Sequence, residues 1–234
     1  MQFHIVLAAL LSAYILGSVP VGLLVVKLVR GRDIRQWFSG RTGGTNVMRM
    51  AGFWAGFSTA ILDIAKGALA VYLARHLTDG NTWVEMGAGL LAVLGHNYSI
   101  FLMERKEGKL RLRGGAGGAT TAGVVFAFWP PTLLILVPIG AVILYFVGYA
   151  SVATMCIGIE VAILFLYRAL ADQAPWAYVV FGILIEVILL LGLRPNIQRL
   201  RRGEERLIGY RARKASQNEL QPVDTEDPES VPKD

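Results

Sequence analysis

The sequence predicts an all-α fold: a polytopic transmembrane helical bundle of about seven spans, N-terminus out and C-terminus in. Three observations predict it. Apolar residues make up 54% of the 234-residue chain and charged residues 17%, against about 45–50% and 25% in an average soluble domain. The excess lies in blocks of about 15–27 residues almost free of charge. About 20 residues at 1.5 Å rise cross a 30 Å hydrocarbon layer, so such blocks read as membrane spans. Lys and Arg, finally, gather in three short segments, and these fix which side each loop lies on.

The runs follow in order. The first covers 3–29. No Lys or Arg precedes it, and Lys27 stands at its far end, so it is a retained span rather than a secretory signal. Further runs lie at 53–74, 83–103, 115–129, 131–149, 151–170 and 175–193. The basic segments are 30–49, 104–113 and 194–214, and all three are expected on the cytoplasmic side. An even number of crossings must then separate residue 113 from residue 194. Splitting the long run 115–149 at Pro130-Pro131 supplies it, since a proline pair marks a turn or kink. The run 115–129 is short and opens Gly115-Ala116-Gly117-Gly118, so it suits a half-helix packed within protein. No internal repeat is present.

Net charge is +6, but the last twenty residues hold six acidic residues and one Lys. Residues 1–214 therefore form one strongly basic membrane domain, and 215–234 an acidic, disordered cytoplasmic tail. A basic body favours anionic lipid headgroups or phosphorylated substrates. The composition excludes a nucleic-acid-binding domain. The single cysteine, Cys156, allows neither an internal disulfide nor a thiolate cluster. No metal ligand set is evident and no cofactor is called for.

Candidate chemistry sits in the basic segments. Ser39, Gly40, Gly43, Gly44, Thr45 and Asn46 stand among Arg41 and Arg49. Small residues expose backbone N–H groups, and Arg adds fork-shaped donors, so the segment has the composition of an oxyanion cradle. The P-loop spacing is absent, which argues against nucleotide hydrolysis. A second Gly-rich turn, Arg113-Gly114-Gly115-Ala116-Gly117-Gly118, opens onto a helix start, where anions bind readily. His96 precedes it beside Asn97 and Tyr98. Asp63 and Lys66 are three apart, on one helical face within a span. Glu160 and Glu186 are single carboxylates in later spans, expected to be held by Arg or backbone donors, or to meet water near an end.

These segments, in this order, resemble the bacterial acyl-phosphate:glycerol-3-phosphate acyltransferase family. Gly17-Ser18-Val19-Pro20-Val21-Gly22 is similar to its GSIPxG, and Ser39-Gly40-Arg41-Thr42-Gly43-Gly44-Thr45-Asn46-Val47-Met48-Arg49 to SGNxGATNxxR. Asp63-Ile64-Ala65-Lys66-Gly67 matches DxxKG. Gly95-His96 and Arg113–Gly117 echo GHxxPxFxxFKGGKG, and 196–205 echoes NIxRLxxGxE. Arg41 replaces the family's Asn, Ala116 replaces its second Lys, and Leu193 its His. About eight extra residues lie around Glu104–Leu112.

The resemblance implies a seven-span enzyme of the bacterial cell membrane. It would transfer an acyl group from acyl phosphate to glycerol 3-phosphate, giving lysophosphatidic acid for phospholipid synthesis. Its partners would be those two substrates, membrane lipids and an acyl-phosphate-producing enzyme. Ser39, Gly43, Thr45, Asn46, Arg49, Arg113, Gly114, Gly115 and Gly117 would bind phosphate. Asn196 and His96 would be catalytic, and Arg41, Asp63 and Lys66 supporting. Lys106, Lys109, Arg41 and Arg113 are the candidates to replace the missing Lys. The rival scheme of glycerolipid acyltransfer, a His followed five positions later by Asp, is absent: Ala9, Asn81 and Phe101 occupy those positions. A weakened relative that binds phospholipid or acyl phosphate, and a small transporter of a phosphorylated solute, are the alternative readings.

Overall fold

The computed structural model describes residues 2–106, 108–212 and 214; the tail 215–234 lies outside the described residues. The helices are α1 (Phe3–Ser18), α2 (Val21–Arg30), α3 (Gly44–Ala51), α4 (Phe53–Leu77), α5 (Thr82–Asn97), α6 (Gly118–Phe128), α7 (Leu133–Phe146), α8 (Ala150–Leu170) and α9 (Trp176–Arg201). Strands β1 (Ser99–Lys106) and β2 (Lys109–Arg113) lie between α5 and α6.

Three expectations need correction. The first run is two helices, because Pro20 lacks an N–H and breaks the ladder. The carbonyls of Ser18 and Val19 are taken instead by Ser99 Oγ (2.5 Å) and Lys66 Nζ (2.9 Å). The fold is also not purely helical. The expected third run ends as a helix at Asn97. The chain continues as an antiparallel hairpin with Glu104 opposite Arg111, and the pairing is irregular between Ser99 and Glu104. Lastly, the final helix does not stop with the last apolar run at residue 193. The start of the following basic segment is the end of α9, which runs unbroken through Pro195 to Arg201.

Among the described residues four stretches are long and apolar enough to cross a membrane: Phe3–Arg30, α4, α8 and α9. Helix α6 has 11 residues, about 16 Å, half a hydrocarbon layer. Nine of those residues are buried, so protein rather than lipid surrounds it. Its closest neighbour is α4. A Cβ on Gly67 would fall 2.3 Å from the carbonyl oxygen of Thr120, and one on Gly123 would fall 1.9 Å from that of Ile64. Backbones this close need small residues at the interface.

Polar contacts mark two ends of the bundle. At one end Arg75, closing α4, grips Glu85 of α5 through two bonds of 2.9 and 2.7 Å. Arg75 also reaches the carbonyl of Ala127 in α6 (2.8 Å), and Tyr178 of α9 donates to Glu85 (2.8 Å). The partner of Arg75 is therefore Glu85 and not its sequence neighbour Asp79. Beneath this cluster Phe128 stacks on Tyr178 at 4.0 Å, with Phe165 and Phe181 edge-on. At the other end the starts of α3, α6 and α8 meet the ends of α7 and α9, and the three basic segments come together. Among the described residues no Arg bonds Glu160 or Glu186, and the Oε2 of each is buried without a hydrogen-bond partner.

Candidate functional site

A cavity of about 290 Å³ opens at the basic end. Three helix starts line it: Gly44-Thr45 of α3, Gly118-Ala119 of α6 and Ala150-Ser151 of α8. No side chain caps any of the three. First-turn N–H groups have no partner within their own helix and carry the positive end of its dipole. Such ends attract anions, and here three converge. Arg41, Arg49, Arg199 and Arg206 line the same walls, with Asp63 and Glu205 as the acidic members. Met48, Phe57, Ala60, Leu144, Leu193 and Ile208 supply an apolar side.

The first loop is held by its own polar groups. Asn46 Nδ2 donates to the carbonyls of Arg41 (2.8 Å) and Trp37 (3.3 Å). This folds Ser39 and Thr45 onto the cavity wall. Arg49 Nη2 donates to the carbonyl of Arg206 (3.2 Å), tying α3 to the segment after α9. Arg41 Nη1 donates to the carbonyl of Gly115 (2.9 Å), and Nη2 donates to that of Gly192. Burial, then neighbouring Arg199, lowers the pKa of Arg41 from its ordinary value. Burial and Arg206 do the same to Arg49. Both stay charged, as guanidinium does throughout the range proteins experience.

The second loop rests on His96. The Gly115 N–H donates to the His96 carbonyl (2.9 Å), and a Cβ on Gly115 would lie 1.9 Å from His96 Nε2. His96 Nδ1 is 3.5 Å from Asp63, whose carboxylate is 2.9 Å from Lys66 Nζ. Asp63 and His96 reach the cavity wall; Lys66 stands behind them. The expected cradle is thus split. Ala116, Gly117 and Gly118 line the cavity. Arg113, Gly114 and Gly115 turn toward a smaller recess of about 170 Å³, which Arg41 and Asn97 also line. The reason is local: Arg113 is drawn away by Glu104 (2.5 Å) and the Arg35 carbonyl (3.3 Å). Lys109 is exposed on β2 and does not line the cavity.

Asn196 lies on the cavity wall, where its Nδ2 donates to Glu205 (3.0 Å). Arg199 Nε donates to the other oxygen of Glu205 (3.0 Å). Asn196 Oδ1 is buried without a hydrogen-bond partner. Sequence reasoning missed Arg199, Glu205, Arg206, Ser151 and Thr154 as site residues. The three-residue step from Asn196 to Arg199, one helical face, was the available signal for the first. Nothing in the sequence marked Ser151 or Thr154. Among the described residues no group of three His, Cys, Asp or Glu is placed to hold a metal.

The family model described as glycerol-3-phosphate acyltransferase matches residues 7–203. This chain belongs to the glycerol-3-phosphate acyltransferase family. Among relatives, the family member of Symbiobacterium thermophilum is 37% identical over 201 residues, covering 86% of this chain and 93% of its own length. A Thermus thermophilus member is 38% identical over 205 residues, with 87% and 95% covered. The fold matches crystal structures of PlsY, an integral membrane glycerol 3-phosphate acyltransferase. The glycerol 3-phosphate form has a TM-score of 0.75 at 32% identity, covering 92% of this chain and 99% of that one. The lysophosphatidic acid form gives 0.71, also at 32% identity, with 87% and 95% covered.

Proposed function

We propose that this chain transfers an acyl group from acyl phosphate to the 1-hydroxyl of glycerol 3-phosphate, releasing lysophosphatidic acid and inorganic phosphate for phospholipid synthesis. The observation that carries the proposal is the convergence of three uncapped helix starts with Arg41, Arg49, Arg199 and Arg206 on one cavity. Both substrates carry phosphate, and an apolar wall stands beside the anion end for the acyl chain. Membership of the family supports the same reading.

In this mechanism the glycerol oxygen attacks the acyl carbonyl carbon. The bond from that carbon to the phosphate oxygen breaks, and phosphate leaves. Acyl phosphate is already activated, so positioning and charge stabilisation do most of the work. Ser39, Thr45 and Arg49, with the backbone of Gly43, Gly117 and Gly118, hold phosphate. Asn196 Oδ1 accepts from the hydroxyl and orients it, with Glu205 fixing the amide. A substrate phosphate oxygen takes the proton. His96 is a positioning residue here: one nitrogen faces Asp63 and the other lies under Gly115.

In this reading the chain makes seven passes of a bacterial plasma membrane, with the 11-residue α6 completing its pass inside protein rather than in lipid. The cavity faces the cytoplasm, because the three basic segments share that end. Acyl phosphate is then supplied from the cytoplasmic side by a separate enzyme.

The test is product formation by the purified protein in lipid nanodiscs, with acyl phosphate and labelled glycerol 3-phosphate. Labelled lysophosphatidic acid well above an Arg49→Ala control is expected. Acyl phosphate binding without product would instead favour a relative that has kept its site and lost its reaction.

A further inference from the structure

The β1–β2 hairpin includes the extra residues around Glu104–Leu112 and contributes little to the cavity. Its surface is nonetheless distinctive. Leu102 is buried at 2% exposure, in a cluster with Leu23, Val26, Ile34 and Val47, which pins β1 to α2 and α3. The other large apolar side chains of the hairpin face outward: Phe101 is 57% exposed, Met103 52% and Leu110 64%, with Ile100 and Leu112 also exposed. Strand β2 alternates strictly, with Lys109 and Arg111 on one face and Leu110 and Leu112 on the other. Arg105, opposite Leu110, adds a cation at the edge of the apolar face.

An isolated two-stranded ribbon is marginal in water, and five exposed apolar side chains on it call for a cover. The nearest apolar phase is the bilayer. The hairpin leaves the bundle at the end of α1, where Ser99 bonds the Ser18 carbonyl, and α1 itself leaves Leu7, Leu11 and Ile15 exposed. Its exposed cations complement anionic headgroups. Apolar residues on one side and Lys and Arg on the other are what an element lying in the membrane interface needs.

We propose that the β1–β2 hairpin is an interfacial anchor, seating Leu110 and Leu112 in the bilayer surface while Arg105, Lys109 and Arg111 bind anionic phospholipid headgroups. The inference rests on membrane embedding and not on acyl transfer. Its consequence for the site is direct, because β2 ends at Arg113 and the Gly-rich turn follows at once.

The experiment places a unique thiol at Leu110→Cys, and separately at Leu112→Cys, in a Cys156→Ser background. An environment-sensitive dye is attached, and single copies are held in nanodiscs of phosphatidylcholine, with or without phosphatidylglycerol. Blue-shifted emission is expected, quenched by lipids spin-labelled near the headgroup and strengthened by phosphatidylglycerol. Each neutralised cation should weaken that response about fivefold, so Lys109→Gln/Arg111→Gln should nearly abolish it, as should high salt. Water-like emission from both positions in both nanodiscs would overturn the proposal. So would a blue shift seen only when several copies share one vesicle, since a second copy would then be the cover. The dye needs no turnover, so inactive protein bears on the acyltransferase reading alone.

Discussion

Arg41 Nη1 donates to the carbonyl of Gly115 at 2.9 Å, immediately before Ala116, where the family motif has Lys. Among the described side chains of the cations considered as replacements, Arg41 is the one placed on the cavity wall beside that position. Arg113 is engaged by Glu104 and the Arg35 carbonyl. The expected outcome is compensation. Arg41→Asn should lower kcat/KM by about 10²–10³, as loss of one preorganised charge donor does. Ala116→Lys in that background should recover much of the loss. Ala116→Lys alone should give no gain, because it sets two cations against each other. Steady-state kinetics on the four proteins of the cycle checks this, and a large gain from Ala116→Lys alone would show a damaged rather than a rewired site.

The contact between His96 and Gly115 predicts strong coupling. Gly115→Ala drives a methyl into the imidazole, at 1.9 Å from Nε2, and should displace the whole Gly-rich turn. Activity should fall by at least about tenfold, chiefly through KM for glycerol 3-phosphate. In a His96→Ala background the ring is gone and the methyl has room, so Gly115→Ala should cost much less there. Groups in direct contact couple by about 0.5–3 kcal/mol. Equal losses in both backgrounds would remove His96 as the support of the turn.

Much of the fold was legible because hydropathy and charge are written locally. The apolar runs correspond to α1 with α2 and to α4 through α9, and the basic segments do meet at one end. The hairpin was not legible for a specific reason. Ile100-Phe101-Leu102-Met103 continues the hydropathy of α5, and four apolar residues in a row do not separate a strand from a helix end. The loop residues Ser39, Thr45, Asn46 and Arg49 were readable from their own composition. Glu205, Arg206 and Ser151 were not, because they join the site only through the convergence of α8, α9 and the following segment. The division of the Gly-rich turn between two hollows depends on Glu104 and Arg35, which the sequence does not link to Arg113.

Asn196 and Glu205 predict a graded pair of effects. Glu205 accepts from Asn196 and Arg199 together, which leaves Asn196 Oδ1 without a partner of its own. Asn196→Ala removes the acceptor and should lower kcat by about 10²–10³. Glu205→Gln keeps one acceptor oxygen but offers an N–H to one of its two donors. It should lower kcat about tenfold, with smaller effect on KM. A kcat unchanged in Asn196→Ala would take the hydroxyl-orienting role from Asn196.

The far end of the bundle predicts stability without catalysis. Glu85 is 2% exposed and accepts two bonds from Arg75 and one from Tyr178. These tie α4, α5 and α9 where no cavity residue lies. Glu85→Ala leaves a guanidinium and a phenol without their acceptor. Breaking a buried pair costs about 3–5 kcal/mol, and the solvent reaching Arg75, whose side chain is 36% exposed, places the loss at the lower end, about 3 kcal/mol. Glu85→Gln keeps the shape and part of the bonding, so it should fall between that variant and the parent. Thermal unfolding in one detergent should order Tm as parent, Glu85→Gln, Glu85→Ala. KM for glycerol 3-phosphate, measured well below each transition, should stay within about twofold, since surface-to-site coupling over a long separation is usually small. A KM shift as large as that of the Gly115 variants would mean the two ends of the bundle are mechanically linked.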